Sequence, residues 1–151
     1  MNTLKVGDKV PEFSAKDQDG NTISLSDYSG KKLIVFFYPR ANTPTCTNEA
    51  CNLNENIKNL KKEGYEILGV SEDSQRKQAN FREKFGFEYP LLADVDHEVI
   101  NAFGVWGPKK FMGREFDGIH RTTFIIDENG VVSRVIDKVK AKQHAEQILE
   151  G

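Results

Sequence analysis

The sequence predicts an α/β fold in which a central mixed sheet is flanked by helices on both faces. Two observations support this prediction. Short apolar runs alternate with helical patterns along most of the chain, and a clear hairpin pattern follows near the C-terminus. Neither GxGxxG nor GxxxxGK(S/T) occurs, so nucleotide-binding versions of this fold class lose support. At 151 residues the chain fits a single domain, residues 1–151.

The N-terminal residues predict a β-hairpin followed by one helical turn. Residues 13–16 and 22–25 are short extended segments on either side of Asp19-Gly20, a pair typical of tight turns. Residues 26–28 then predict the helical turn. The next segment, 33–37, is apolar throughout and ends shortly before a proline, which is typical of a buried central strand.

A long helix is predicted from Cys46 to Lys62. Thr43-Pro44 is the pair expected at its start, an N-cap followed by proline at the first helical position, and Gly64 ends it. Cys46 therefore falls in the first helical turn. At about 100° per residue, one narrow stripe of this helix faces the sheet. Its members are Cys46, Ala50, Leu53, Ile57 and Leu60.

The alternation of strands and helices continues after this helix. Residues 65–70 and 91–93 predict buried strands, and the helix between them begins at Asp73 or Ser74. A shorter helix is expected at 97–103. These elements form a strand, helix, strand crossover, which adds parallel strands to the sheet.

The last third of the chain opens with a segment of different character. Residues 104–118 hold four glycines and a proline and predict a long connection of the kind that is often functional or mobile. Residues 121–126 and 131–136, joined by a turn at 127–130, predict a hairpin. A C-terminal helix is expected to follow it.

Charge and composition limit the possible partners. The chain has 21 basic and 23 acidic residues and a net charge of −2, with no basic cluster longer than a pair, so nucleic acid and anionic membranes are poor candidates. We expect a small-molecule or protein substrate. The first thirty residues carry many charges and no apolar core of signal-peptide length, and no apolar stretch is long enough to span a membrane. We therefore expect a cytoplasmic protein.

Cys46 and Cys51 are the only cysteines. In a reducing compartment such a pair of cysteines is more often catalytic or redox-active than joined in a permanent structural disulfide. The alternative is that both cysteines are simply small buried hydrophobic residues. On an intact helix their Cα atoms lie roughly 8.7 Å apart, whereas a disulfide needs less than about 7 Å. The helix must therefore unwind before they can bond. Five asparagines, each poorer than alanine by up to ~0.7 kcal/mol, favour this opening: Asn48, Asn52, Asn54, Asn56 and Asn59.

The position at the start of a helix suggests a reactive thiol at Cys46. A free thiol is only ~3% ionised at pH 7, and ~90% ionisation needs about 3.4 kcal/mol of stabilisation. A helix N-terminus supplies ~0.3 to 1 kcal/mol, and up to ~2 when partly buried. Hydrogen bonds from the Thr43 hydroxyl and backbone amides, together with a nearby guanidinium, could supply the rest, so we expect an arginine close to Cys46. Arg40 and Arg121 are the candidates, and we favour Arg121 because its strand can lie beside 33–37, although a solvent-exposed strand-end charge remains the alternative.

Pro39, Thr43 and Cys46 form the pattern PxxxTxxC, which is similar to the active-site signature of the peroxiredoxins. The chain resembles the bacterioferritin comigratory protein, or Q-type, subfamily of the peroxiredoxins. This resemblance covers nearly the whole chain. The segments that carry it are Phe36-Phe37-Tyr38-Pro39, Thr43-Pro44-Thr45-Cys46-Thr47, Glu49-Ala50-Cys51, Gly69-Val70-Ser71, Phe85, Tyr89-Pro90-Leu91-Leu92-Ala93-Asp94, Gly104-Val105-Trp106-Gly107, Lys110, Met112-Gly113 and Arg121-Thr122-Thr123-Phe124.

The resemblance implies a thioredoxin-like fold with an N-terminal β-hairpin and thiol-dependent reduction of hydrogen peroxide and organic hydroperoxides. It implies that Cys46 is the peroxidatic cysteine and Cys51 the resolving cysteine, which together form an intramolecular disulfide. Thr43 and Arg121 are implied to hold the peroxide and activate the thiolate, and Pro39 to shield the pocket from water. The implied partner is thioredoxin or a similar dithiol reductant. The subfamily resemblance favours a monomer, and no metal or organic cofactor is needed.

Other functions remain open on the residues alone. A general thiol-disulfide oxidoreductase is one, although no CxxC is present. A metal or iron-sulfur module would use both cysteines with His97, His120 or His144, but the spacing matches no usual tetrahedral pattern. Each histidine lies among polar residues and is expected on the surface or in a loop. A partner-binding domain would present Trp106 and residues 104–118 as its contact surface.

Overall fold

The computed structural model describes the whole chain, residues 1–151. The strands are β1 Ser14–Lys16, β2 Thr22–Ser24, β3 Lys32–Phe37, β4 Tyr65–Ser71, β5 Leu91–Ala93, β6 Trp106–Phe111, β7 Arg114–Ile119, β8 Thr122–Ile126 and β9 Val132–Ile136. The helices are α1 Pro44–Glu55, α2 Ile57–Lys62, α3 Gln75–Phe85, α4 Glu98–Phe103 and α5 His144–Glu150, with 3-10 turns at Leu25–Tyr28 and Ala141–Gln143. None of these helices has the length and apolar character that crossing a membrane requires.

A five-stranded mixed sheet forms the centre of the fold, in the order β5-β4-β3-β8-β9. Strands β3, β4 and β5 run parallel, and β8 is antiparallel to both β3 and β9. The predicted central mixed sheet is therefore confirmed. The predicted N-terminal hairpin is also present, as the antiparallel pair β1-β2.

Strand β3 lies in the middle of the sheet and divides the core into two layers. Ile34, Phe36 and Tyr38 belong to one hydrophobic cluster with the apolar stripes of α1, α2 and α5. Leu33 and Phe37 belong to the other, with α4 and the N-terminal segment. Alternate side chains of a strand point to opposite faces, so a strand that is buried on both faces is apolar at every position. Helices cover both faces, as predicted.

The predicted helix 46–62 is divided into two in the structure. Asn56 leaves the helical region, with φ −103° and ψ 14°, so α1 ends before it and α2 begins after it. Its side-chain amide donates to the Asn52 carbonyl at 2.9 Å, a local hydrogen bond of the kind that competes with the helical ladder. The predicted buried stripe is confirmed across the break, because its five members are at most 5% exposed.

The prediction of a long connection at residues 104–118 was wrong. These residues contain the antiparallel hairpin β6-β7, which pairs Trp106 with Ile119 and Phe111 with Arg114. Met112 and Gly113 form its turn, with φ of 50° and 79°, and positive φ at two successive turn residues suits a two-residue hairpin. Most of its side chains are exposed, so the hairpin carries no alternation of apolar and polar residues that would identify it in the sequence.

Candidate active site

Cys46 lies where the central strand meets the first helix. Strand β3 ends at Phe37, a loop crosses the end of the sheet, and Thr43 then takes the N-cap position of α1 with Pro44 after it, as predicted. The side chain of Cys46 points towards the sheet and is 1% exposed. A thiol in the first helical turn lies near the unpaired backbone N–H groups of that turn, which stabilise negative charge.

Arg121 is the cation beside Cys46. Arg121 directly precedes β8. The antiparallel register of β3 and β8 pairs Thr122 with Phe37, which brings Arg121 to the end of β3, close to the start of α1. Its Nη2 donates to Cys46 Sγ at 3.2 Å. Burial alone lowers the pKa of Arg121, but Cys46 and Glu49 more than offset this and raise it overall. The guanidinium therefore stays charged beside the sulfur. Arg40, the other candidate, is exposed.

Glu49 holds the same guanidinium from its other side. Arg121 Nη1 donates to Glu49 Oε1 at 2.8 Å, and Glu49 is fully buried. Its second oxygen, Oε2, has no hydrogen-bond partner. Burial raises the pKa of Glu49 to about 7, although Arg121 acts in the opposite direction. Sequence reasoning assigned no role to Glu49; the available signal was an acidic residue three positions after Cys46, beside the apolar stripe of the helix.

His144 lies behind Glu49 and corrects a prediction. It is fully buried, not a surface residue, because α5 packs its first turn against α1. Its Nε2 is 2.7 Å from the Thr123 hydroxyl and 3.4 Å from Glu49 Oε2. Gln147 Oε1 accepts from a backbone N–H and lies 2.9 Å from His144 Nδ1, which assigns the ring proton to Nδ1 and makes Nε2 an acceptor. Burial lowers the pKa of His144, which favours the neutral ring.

Thr43 and Pro39 lie in the loop that leads into α1. The expected hydrogen bond from the Thr43 hydroxyl to Cys46 is absent, because this hydroxyl donates to the Arg40 carbonyl at 2.9 Å. Its lone pairs remain free to accept a hydrogen bond. Pro39 is half-buried, directly after Tyr38, whose hydroxyl donates to Gln78 at 2.6 Å in the core.

Cys51 lies on the same helix as Cys46 but outside the group of Cys46, Arg121 and Glu49. Both cysteines are free thiols, and Cys51 is half-buried against the cluster that contains Cys46. Burial raises the pKa of the Cys51 thiol, and the nearby Glu55 raises it further. With α1 continuous from Pro44 to Glu55, the two sulfurs stay on different sides of the helix.

A second cation on the β6-β7 hairpin was also missed by sequence reasoning. Lys109 Nζ donates to the Ile119 carbonyl at 2.7 Å, two residues before Arg121. Burial and the charge of Arg121 lower the pKa of Lys109, while Cys46 raises it. Its partner strand β7 ends just before Arg121, so the hairpin lies next to the site.

The remaining candidates for a metal or partner site are dispersed. His97 contacts Glu72 at 3.1 Å and its ring lies 4.5 Å from that of Trp106, while His120 contacts the Pro108 carbonyl at 3.0 Å. No group of three or more histidine, cysteine or acidic side chains is arranged to hold a metal ion.

Comparison with known proteins identifies the family. The AhpC/TSA family model matches residues 6–135. Peroxiredoxin Bcp of Escherichia coli K12 is 47% identical over 149 residues, which cover 99% of this chain and 96% of that protein. The chain belongs to the peroxiredoxins of the AhpC/TSA family. A putative peroxiredoxin of Haemophilus influenzae is likewise 47% identical, over 150 residues that cover 99% of this chain and 97% of the relative.

Solved structures confirm the predicted thioredoxin-like peroxiredoxin fold. Peroxiredoxin Q of Xanthomonas campestris superposes with a TM-score of 0.85 at 36% identity, covering 91% of this chain and 87% of that one. A mutant of Xylella fastidiosa PrxQ gives 0.92 at 29% identity, with 99% and 96% covered. The subfamily resemblance is thereby confirmed, and this peroxiredoxin is a thiol-dependent peroxidase, an oxidoreductase.

Proposed function

We propose that Cys46 is the thiol that attacks the peroxide and that Cys51 resolves the product as an internal disulfide. The observation that carries this proposal is the 3.2 Å contact between Arg121 Nη2 and Cys46 Sγ, at the first turn of a helix. A permanent positive charge at this distance stabilises negative charge on the sulfur through a charge-assisted hydrogen bond. Cys51 has no such neighbour, and burial raises its pKa.

In the first step, the Cys46 thiolate attacks the outer oxygen of a hydroperoxide in line with the O–O bond. An S–O bond forms and the O–O bond breaks, so the sulfur loses two electrons and becomes a sulfenic acid. The leaving oxygen takes a proton and departs as water or alcohol. Arg121 stabilises the negative charge that moves onto the oxygens. The Thr43 hydroxyl accepts a hydrogen bond from the peroxide, and Pro39 keeps water out of the pocket.

In the second step, the Cys51 thiolate attacks the sulfur of the sulfenic acid. An S–S bond forms, the S–O bond breaks, and the departing hydroxide takes a proton and leaves as water. The two protein thiols have thus together supplied the two electrons that reduced the peroxide. The step requires helix α1 to open, because two cysteines five residues apart on one helix are too distant to bond. Opening also moves Cys51 from its half-buried position into water, where its thiolate forms more readily.

In the third step, a dithiol reductant restores both thiols by thiol-disulfide exchange. We propose thioredoxin or a similar dithiol protein for this role, since each turnover transfers two electrons from a thiol pair. The thiols carry every electron in the cycle, so no step is assigned to a metal or organic cofactor.

The proposed substrates are hydrogen peroxide and organic hydroperoxides. One relative supports the second class: a structural study of the Xanthomonas campestris bacterioferritin comigratory protein concerns its alkyl peroxide reduction activity. That protein is 35% identical, with a TM-score of 0.85 over 91% of this chain and 88% of its own. We further propose that the enzyme works as a cytoplasmic monomer, with residues 1–151 as one domain and neither nucleic acid nor membrane as a partner, in keeping with its net charge of −2.

Intact mass spectrometry of the wild-type protein tests the cycle. One equivalent of hydrogen peroxide should lower the mass of a single chain by two hydrogens, as an internal disulfide requires. A persistent gain of one or two oxygen atoms would instead exclude a resolving role for Cys51. Insulin reduction as fast as peroxide reduction would favour a general thiol-disulfide oxidoreductase.

A further inference from the structure

Helix α1 is tied to the C-terminal segment by the side chain of Asn52. Its Nδ2 donates to the Lys142 carbonyl at 2.8 Å, and its Oδ1 accepts from the Ala145 N–H at 2.8 Å. Both polar atoms of one side chain are thus bound to backbone groups far along the chain, 90 and 93 residues away.

The second of these hydrogen bonds caps α5. Ala145 is the second residue of α5, and an N–H in the first turn of a helix has no partner inside the helix. The usual source of that partner is the N-cap side chain. Gln143, the N-cap of α5, makes no such hydrogen bond. Asn52 therefore caps α5 from a different helix.

Asn52 directly follows Cys51, inside the segment that must open for the two cysteines to meet. The helix has little support of its own there, because the Thr43 side chain makes no capping hydrogen bond and several asparagines lower helix propensity. Asn54 gives a second tie on the same segment: its side chain bonds the Gly86 carbonyl at 3.2 Å and the Glu88 N–H at 2.9 Å. The asparagines that weaken α1 as a helix thus also attach it to its neighbours.

We propose that Asn52 is a latch that sets the rate at which Cys51 reaches oxidised Cys46, and that its release opens α1 and the first turn of α5 together. The proposal rests on the resolving role of Cys51 given above. Asn52 is a positioning residue, since it touches neither sulfur. It acts by holding closed the segment that carries Cys51. When the Asn52 side chain moves away from α5, the Ala145 N–H loses its capping hydrogen bond.

The latch also sets how much peroxide the enzyme tolerates. A sulfenic acid at Cys46 has two fates. Either Cys51 attacks it and water leaves, or a second peroxide transfers an oxygen atom to the sulfur as its O–O bond breaks, which releases water or alcohol and gives an inactive sulfinic acid. The first fate waits for α1 to open, and the second does not. A tighter latch therefore favours inactivation at high peroxide.

Asn52→Ala tests the latch, with Asn48→Ala as the matched control. Asn48 is exposed on the same helix and makes no side-chain hydrogen bond, and both changes raise helix propensity equally. After one equivalent of peroxide, Asn52→Ala should form the disulfide about tenfold faster than wild type, the effect expected for two lost hydrogen bonds of ordinary strength. The peroxide concentration that inactivates half the enzyme during turnover should rise by a similar factor. Asn48→Ala should leave both quantities at or slightly below wild type.

Equal rates of disulfide formation in Asn52→Ala and Asn48→Ala would overturn the latch. Hydrogen exchange on the wild-type protein gives a second test that needs no variant at Asn52. Residues 144–150 should lose protection when the Cys46–Cys51 disulfide forms, and should keep it when Cys51→Ser is treated with one equivalent of peroxide. Should wild type form no internal disulfide, the proposed resolving role fails; should the disulfide form while 144–150 stays protected, only the latch fails.

Discussion

The fully buried Glu49 and the half-buried Arg121 form an ion pair in which the carboxylate occupies one nitrogen of the guanidinium and leaves the other for Cys46. Glu49 Oε1 lies 2.8 Å from Nη1, while Nη2 lies 3.2 Å from the sulfur. The planar fork of arginine fixes the second nitrogen once the first is bound. Glu49 thus positions the charge that acts on Cys46, and several consequences are open to measurement.

Arg121→Lys should slow the reaction with peroxide by a factor of roughly 10² to 10³, the range found when one stabilising donor is removed from an active site. A lysine keeps the charge, but its single nitrogen cannot serve Glu49 and Cys46 in the arginine geometry. Stopped-flow measurement of the second-order rate constant checks this. Arg114→Lys, on the exposed strand β7, is the control and should react at the wild-type rate. A wild-type rate in Arg121→Lys would show that charge alone matters.

The two cysteines should separate into two kinetic roles. Cys46→Ser is expected to abolish peroxide consumption, because no other thiol has a cationic neighbour. Cys51→Ser should consume one equivalent of peroxide at the wild-type rate and then stop, with a sulfenic acid left at Cys46. Single-turnover and steady-state assays with thioredoxin distinguish these outcomes. Full steady-state activity in Cys51→Ser would remove its resolving role.

The hydroxyl of Thr43 should matter for peroxide and not for folding. Thr43→Val keeps the shape but removes the oxygen that we propose accepts a hydrogen bond from the substrate, so the rate with peroxide should fall by about tenfold or more. Thr43→Ser keeps that oxygen and should retain most of the rate. Neither variant loses a buried contact, since the hydroxyl bonds only the Arg40 carbonyl. A Thr43→Val enzyme as fast as wild type would exclude the hydroxyl from substrate binding.

Glu49 should make stability depend on pH in a defined window. Burial raises its pKa from an ordinary value of 4.5 to about 7 in the folded protein, so between these values the folded protein holds a proton that the unfolded chain has released. Rising pH therefore removes stability across this window, by at most about 1.4 kcal/mol per pH unit. Glu49→Gln removes this contribution, so its stability relative to wild type should rise from pH 4.5 to 7 and then level off.

Urea unfolding of wild type and Glu49→Gln at several pH values measures this difference. His144 acts in the opposite direction: burial lowers its pKa from 6.5, so stability rises with pH as that value is approached. His144 is present in both proteins, so its contribution cancels in the comparison except for the part that depends on its 3.4 Å contact with Glu49 Oε2. A constant difference at all pH values would mean that Glu49 does not titrate in the folded state.

Local patterns were enough to predict the elements that build the site. An apolar run followed by proline predicted β3, and Thr43-Pro44 predicted the start of α1. These signals succeed because strand burial, capping and proline geometry depend on residues within a few positions. The break at Asn56 and the β6-β7 hairpin were missed, since a side-chain hydrogen bond decided the first and exposed strands gave no pattern for the second.

The sequence by itself determined an α/β fold with a cysteine in the first turn of a helix. Through its resemblance to known proteins it also indicated the peroxiredoxin family. Only the tertiary structure decided what surrounds that cysteine. Arg121 meets Glu49 and Cys46 across 72 and 75 residues, and Asn52 meets Ala145 across 93. Periodicity tells which face of an element is buried, but the strength of a charge pair or hydrogen bond depends on distances that exist only after the chain has folded.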